Sequence, residues 1–87
     1  MTAYVANHRK KKNLFAKRER ELRHALRNGL SEAKVVKSVE NLRAAKLSIF
    51  KMEFSRTSTL PASYYRPEGQ ALEWMEMSVG EILAMYR

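Results

Sequence analysis

The chain lacks cysteine and aspartate and has little glycine, and each absence narrows what the protein can be. Without cysteine it forms no disulfide and offers no thiolate ligand for zinc or an iron–sulfur cluster. Paired-carboxylate catalysis would depend on glutamate alone, because all nine acidic residues are Glu. Three glycines are too few for a phosphate-cradling loop, and no P-loop, nucleophile elbow or dinucleotide-binding glycine motif occurs. We therefore expect no catalytic residues and no cofactor.

Long apolar runs are also missing. No stretch approaches the 18 or so residues that a transmembrane helix needs, so we expect no membrane span. The first twelve residues lack the apolar core of a secretion signal, which favours a cytoplasmic location. At 87 residues there is room for one hydrophobic core, so residues 1–87 are predicted to form a single domain.

Turn residues divide the chain into helical segments. Gly29 suits the left-handed cap of a first helix, and Ser31 can cap the second. Pro67 suits the first position of a later helix, and Ser78 and Glu81 have the spacing of a capping box. The predicted elements are a basic helix over 7–28, an amphipathic helix over 31–55, a loop over 57–66 and a hydrophobic, acidic helical segment over 67–86, itself divided into 67–77 and 79–86.

No run of residues alternates as a β-strand would, so the predicted fold class is all-α. Two long helices joined by a short turn favour a long antiparallel hairpin with the C-terminal helical segment packed across it. At 100° per residue, the apolar faces of the hairpin are Leu14, Phe15, Leu22, Ala25 and Leu26 on the first helix, and Val35, Val36, Val39, Leu42, Leu47, Ile49, Phe50 and Phe54 on the second.

Two cations, Arg43 and Lys46, interrupt the apolar face of the second helix. Their aliphatic stems could cover apolar surface while the charged ends reach water. Alternatively, they could form ion pairs with Glu73, Glu76 or Glu81 of the acidic C-terminal segment.

The net charge of +8 is distributed unevenly along the chain. Residues 1–56 carry fifteen Lys and Arg against five Glu, a net charge of +10, whereas residues 57–87 carry two against four, a net charge of −2. Such asymmetry is typical of a basic surface that binds an acidic polymer, although it also occurs on a solvated helical surface.

Five cations of the first helix fall within about 80° of one another, and no Glu lies inside that arc. Like charges three or four residues apart destabilise a helix, so a chain that needed only solubility would interleave acids here. Guanidinium groups bind phosphate through two donors. We call the five cations of this arc the basic stripe: Arg9, Lys12, Arg20, Arg23 and Arg27. Lys10, Lys11, Lys34 and Lys37 would add to its field.

The stripe predicts a non-catalytic protein that binds the backbone of RNA or DNA, because it contains no Asn or Gln to read base edges. The alternative is a small protein-binding regulator or inhibitor, such as an accessory phage- or plasmid-type protein, that docks its basic helix on an acidic partner surface. Membrane-surface binding is weaker, since the first helix has no Trp to insert.

Apolar residues of the C-terminal segment could contact a partner or a second copy in a homodimer, or could simply close the core. The predicted partner-interface residues are Trp74, Met75, Met77, Met85 and Tyr86. Tyr64 and Tyr65 could stack on bases or attach the loop to the helices.

Two further motifs occur in the hairpin. A turn at Gly29 followed by an amphipathic helix loosely resembles the start of a helix-turn-helix, but the second turn is missing, so an unbroken helix is favoured. Glu21 and His24 have the E-x-x-H spacing of di-iron bundles, but the neighbouring arginines would repel a cation, and we expect no metal site.

Overall fold

The computed structural model describes residues 3–57 and 65–86, which contain four α-helices and no β-strand. The two long helices pack against each other as an antiparallel hairpin, and the last helix contacts both of them. The predicted all-α hairpin with a C-terminal helical segment is confirmed. The helices are α1 (Ala3–Arg27), α2 (Glu32–Thr57), α3 (Gln70–Glu76) and α4 (Val79–Tyr86).

The turn between α1 and α2 forms where the sequence predicts it. Gly29 has a φ of 61°, a left-handed conformation that glycine adopts without a Cβ penalty. The backbone N–H of Leu30 donates to the carbonyl of Ala25 at 3.0 Å, and that of Gly29 donates to Leu26 at 3.4 Å. This pair of hydrogen bonds is a Schellman motif. The hydroxyl of Ser31 then accepts a backbone N–H of the first turn of α2 at 3.4 Å, as expected of a cap.

Helix α1 begins four residues earlier than predicted, because its first turns are held by contacts rather than by an apolar pattern. The ring of Tyr4 stacks on that of His8 with centroids 5.5 Å apart, and His8 Nε2 lies 3.0 Å from Glu53 Oε2 of α2. The helix has 25 residues and is about 37 Å long, close to the 43 Å length of the molecule. Helix α2 continues without a break through Thr57, so the second turn of a helix-turn-helix is absent from it.

The third helix begins later than predicted, at Gln70. Pro67 is buried in a non-helical segment, and Gly69 precedes the helix with a φ of 58°. The capping box before α4 is confirmed: Ser78 N–H donates to Glu81 Oε1 at 3.3 Å, and Glu81 N–H donates to Ser78 Oγ at 3.1 Å. Most of the predicted loop over 57–66, including Tyr64, lies outside the described residues.

The core runs along the seam of the hairpin and under the C-terminal helices. Four residues of the predicted apolar faces are instead 40–53 % exposed: Leu14, Leu47, Phe50 and Phe54. The last three stay exposed on α2, because α3 and α4 have only seven and eight residues and cover only part of that helix. The buried apolar residues are Phe15, Leu22, Ala25, Val35, Val39, Leu42, Ala45, Ile49, Ala71, Trp74, Ile82 and Leu83.

Arg43 joins the hairpin to the C-terminal segment, but not through a carboxylate as one prediction had it. Its guanidinium donates to the main-chain carbonyls of Trp74, at 3.4 Å, and of Met77. These carbonyls lie at the C-terminal end of α3, where the helix dipole favours a cation. The segment is therefore attached to α2 by its backbone, and Glu73, Glu76 and Glu81 stay exposed.

Candidate nucleic-acid interface

Six of the nine predicted nucleic-acid-binding cations are exposed, and none of the six forms an ion pair among the described residues. Three of them follow the outer face of α1, from Arg9 through Arg20 to Arg27, over about 27 Å. Lys12 lies between them and is half-buried. The exposed six are Arg9, Lys10, Arg20, Arg27, Lys34 and Lys37.

Arg23 belongs to the basic stripe by position but is held within the fold. Its guanidinium donates to Glu19 Oε1 at 2.8 Å and to Gln70 Oε1 at 3.0 Å. It also lies over the ring of Trp74, 5.6 Å from the ring centroid. Desolvation strengthens such a cation–π contact, and Trp74 is fully buried. Arg23 thus attaches α3 to α1 and offers less of its charge to a ligand than the sequence suggests.

Lys11 is also engaged inside the hairpin, since its Nζ donates to Ser48 Oγ of α2 at 2.6 Å. It is half-buried, so its predicted part in an outer charged surface is reduced. Arg18, which lies outside the basic stripe, forms an ion pair with Glu21 at 2.8 Å. Some cations of α1 therefore make contacts within the protein, and the others face solvent.

The exposed cations of α1 and α2 meet at an open groove between the two helices, which we call the α1–α2 groove. It has a volume of about 520 Å³, and none of its lining residues comes from α3 or α4. Lys17 and Arg20 line it from α1, and Lys34 and Lys37 line it from α2. Glu21 is the one carboxylate in the lining, and it is already paired with Arg18. The groove is therefore strongly positive.

The rest of the lining of the α1–α2 groove consists of the apolar side chains of Ala25 and Leu30 and the polar ones of His24, Ser38 and Asn41. The amide nitrogen of Asn28 lies 2.9 Å from the main-chain oxygen of His24, which identifies it as the NH₂ group, since a carbonyl can only accept. The same nitrogen lies 3.0 Å from His24 Nδ1. Nδ1 of His24 therefore accepts this hydrogen bond, which places a ring proton on Nε2.

Helices α3 and α4 pack on a different side of the hairpin. On α2, Arg43 contacts α3, whereas Lys37 lines the α1–α2 groove, and these two positions lie about 120° apart around the helix. The exposed carboxylates Glu73, Glu76 and Glu81 are carried by α3 and α4. They consequently do not neutralise the groove through direct contact.

A buried carboxylate holds together the open end of the hairpin. Glu53 is 4 % exposed, and its Oε2 lies 3.0 Å from His8 Nε2 and accepts the backbone N–H of Tyr65 at 2.7 Å. Lys46 lies nearby over the Tyr65 ring, 5.9 Å from its centroid. Desolvation lowers the pKa of Lys46 from 10.5, and the charge of Glu53 opposes that shift.

Tyr65 is fixed to the helices rather than presented for stacking on bases. Its ring meets that of Phe15 edge-on, with centroids 5.9 Å apart. Burial raises the pKa of its hydroxyl above 10, and the charges of Glu19 and Glu68 add to that shift. Of the two predicted roles, attachment of the loop to the helices is the one that the contacts of Tyr65 support.

The predicted partner-interface residues differ in how far their side chains are exposed to solvent. Trp74 is 1 % exposed and packs in the core, because a small domain needs its largest side chain to close the hairpin. Met75 and Met77 are half-buried against that core, whereas Met85 is 60 % exposed. Tyr86 ends α4, and its side chain lies outside the described part of the chain.

Sequence reasoning did not identify Lys17 or His24 as parts of the site. Both lie within about 60° of Arg20 on α1, on the side that faces Lys34 and Lys37. The helical wheel of α1 contained this signal, but assigning it to a groove required knowing which side of α2 lies opposite. An exposed apolar surface was also missed, formed by Leu47, Phe50, Phe54 and Leu72.

No group of three or more His or Glu side chains suited to a metal ion occurs within residues 3–57 and 65–86. Over the same described ranges, every helix is too short or too polar to cross a membrane. No protein-family model matches the sequence, and neither curated proteins nor solved structures show detectable similarity to the chain.

Proposed function

We propose that the protein binds nucleic acid without catalysis, through contacts between its exposed cations and the phosphate backbone. The observation that carries the proposal is the set of exposed Lys and Arg residues on α1 and along the α1–α2 groove, none of which has a carboxylate partner among the described residues. Placing these like charges together costs free energy in the unbound protein. A polyanion removes that cost and gains entropy as its counterions are released.

The proposal includes a cytoplasmic location, where RNA and DNA are accessible ligands. It assigns backbone contacts to the exposed members of the basic stripe, Arg9, Arg20 and Arg27, rather than to Arg23. Backbone contacts fix the position of a protein on nucleic acid but carry little sequence information. We therefore expect similar affinities for oligonucleotides of unrelated sequence.

Two measurements test this function. The purified protein should carry nucleic acid, which raises its absorbance at 260 nm relative to 280 nm. Replacing Arg9, Arg20 and Arg27 with Gln should lower the slope of log affinity against log salt by about two to three, because each phosphate contact contributes about 0.7 to 0.9. The variant R23Q is unsuitable for this test, because Arg23 also holds α3 in place.

A second candidate is a regulator that docks on an acidic protein surface and can form a homodimer. The exposed cations suit carboxylates as they suit phosphates, and Met85 on α4 offers an exposed apolar contact. This candidate predicts that labelled oligonucleotides do not bind even at 50 mM salt, whereas polyglutamate binds. Binding of the oligonucleotide with a steep salt dependence would decide against it.

A further inference from the structure

We propose that the α1–α2 groove holds one single strand, so that single-stranded rather than duplex nucleic acid is the ligand. This inference rests on the proposed function and specifies its substrate class. The groove is formed by two packed helices, and its volume is about 520 Å³, which is the size of a small-ligand site. A double helix is about as wide as the whole 22 × 19 Å cross-section of the molecule and would touch only the rim.

The cations stand on both walls of the groove. Lys17 and Arg20 lie three residues apart on α1, and Lys34 and Lys37 lie three residues apart on α2. Residues three apart on a helix have Cβ atoms about 5–6 Å apart, so the two long cationic side chains of each wall can reach neighbouring phosphates of one strand. Each wall can therefore contact neighbouring phosphates of a strand that follows the groove, as in other proteins that bind single strands in a basic channel.

The rest of the lining suits the bases of such a strand. The apolar side chains of Ala25 and Leu30 can contact the face of an unstacked base. Because Asn28 donates to Nδ1 of His24, the Nε2 of that ring carries a proton and supplies a donor as well as the face of the ring. Bases of a duplex are stacked and paired, so their faces and Watson–Crick edges are not accessible to the side chains of a groove.

The test compares a fluorescein-labelled 12-nucleotide single strand with a duplex of the same length, by fluorescence anisotropy at 0.1 M salt. We expect the single strand to bind at least about 10-fold more tightly. The groove variant R20Q/K34Q should bind the single strand about 25-fold more weakly, because two contacts at about 0.7 each correspond to about 1.4 log units at this salt concentration. The control variant K51Q/R66Q also removes one Lys and one Arg charge, but from exposed positions outside the groove. It should change the affinity less than about 3-fold.

Each outcome decides between the two claims. Equal effects of the groove and control variants, or tighter binding of the duplex, would overturn the single-strand groove while leaving nucleic-acid binding intact. Failure of the wild-type protein to bind either oligonucleotide at 50 mM salt would overturn the proposed function itself. The four substituted residues are exposed, so circular dichroism should show that both variants keep the helical content of the wild-type protein.

Discussion

Replacing Glu53 should destabilise the protein more than replacing any exposed charged residue. Its carboxylate is 4 % exposed, accepts the backbone N–H of Tyr65 at 2.7 Å and lies 3.0 Å from His8 Nε2. Each hydrogen bond to a carboxylate contributes about 1.5–3 kcal/mol. A domain of this size has a free energy of unfolding of about 4–13 kcal/mol. Glu53→Ala should therefore remove a large part of it.

Urea denaturation followed by circular dichroism measures this loss. Glu53→Gln keeps an acceptor oxygen for the Tyr65 N–H and should cost less than Glu53→Ala. A double-mutant cycle with His8→Ala should give a coupling free energy of about 0.5–3 kcal/mol. The matched control is Glu40→Ala, an exposed carboxylate on the same helix, which should change stability by less than about 0.5 kcal/mol. Equal costs for Glu53→Ala and Glu40→Ala would refute the reasoning.

Three further predictions concern stability and titration. Gly29→Ala should destabilise the protein by about 1–2 kcal/mol in thermal unfolding, because the φ of Gly29 is positive, even though no atom lies within 4 Å of an added Cβ. Gly80 has no positive φ, so Gly80→Ala should stabilise α4 by about 0.5–1 kcal/mol. Trp74→Ala should cost about 3–5 kcal/mol in urea, but Trp74→Phe less than about 1.5 kcal/mol, because the indole N–H has no partner in the described part of the chain. A ¹³C NMR titration should give Lys46 a pKa below 10.5, and Glu53→Gln should lower that pKa further by removing the favourable charge.

Local signals in the sequence were enough to predict the hairpin. Gly29, Ser31 and the pair Ser78 and Glu81 act within one helical turn of themselves, so their hydrogen bonds follow from neighbouring residues alone. The start of α1 could not be predicted in this way. It depends on the contact of His8 with Glu53, which is 45 residues away in the chain.

The candidate site was predictable as a set of cations but not as a shape. The exposed positions of Arg9, Arg20 and Arg27 follow from the periodicity of α1, because the opposite face of that helix carries Phe15 and Leu22. The contacts of Arg23 with Trp74 and Gln70 depend on where α3 packs, and the helical periodicity of α1 does not predict that position. For the same reason, the interface prediction included Trp74, although its side chain fills the core.

The proposed function depends most on whether the exposed cations bind phosphate, and the salt dependence of oligonucleotide binding tests this directly. Affinity should be measured by anisotropy between 50 and 200 mM salt. Four groove contacts with a single strand predict a log–log slope of about −3. A slope near this value, steeper for the wild type than for R20Q/K34Q, is the predicted result. A slope near zero, or no binding at 50 mM salt, would contradict the account.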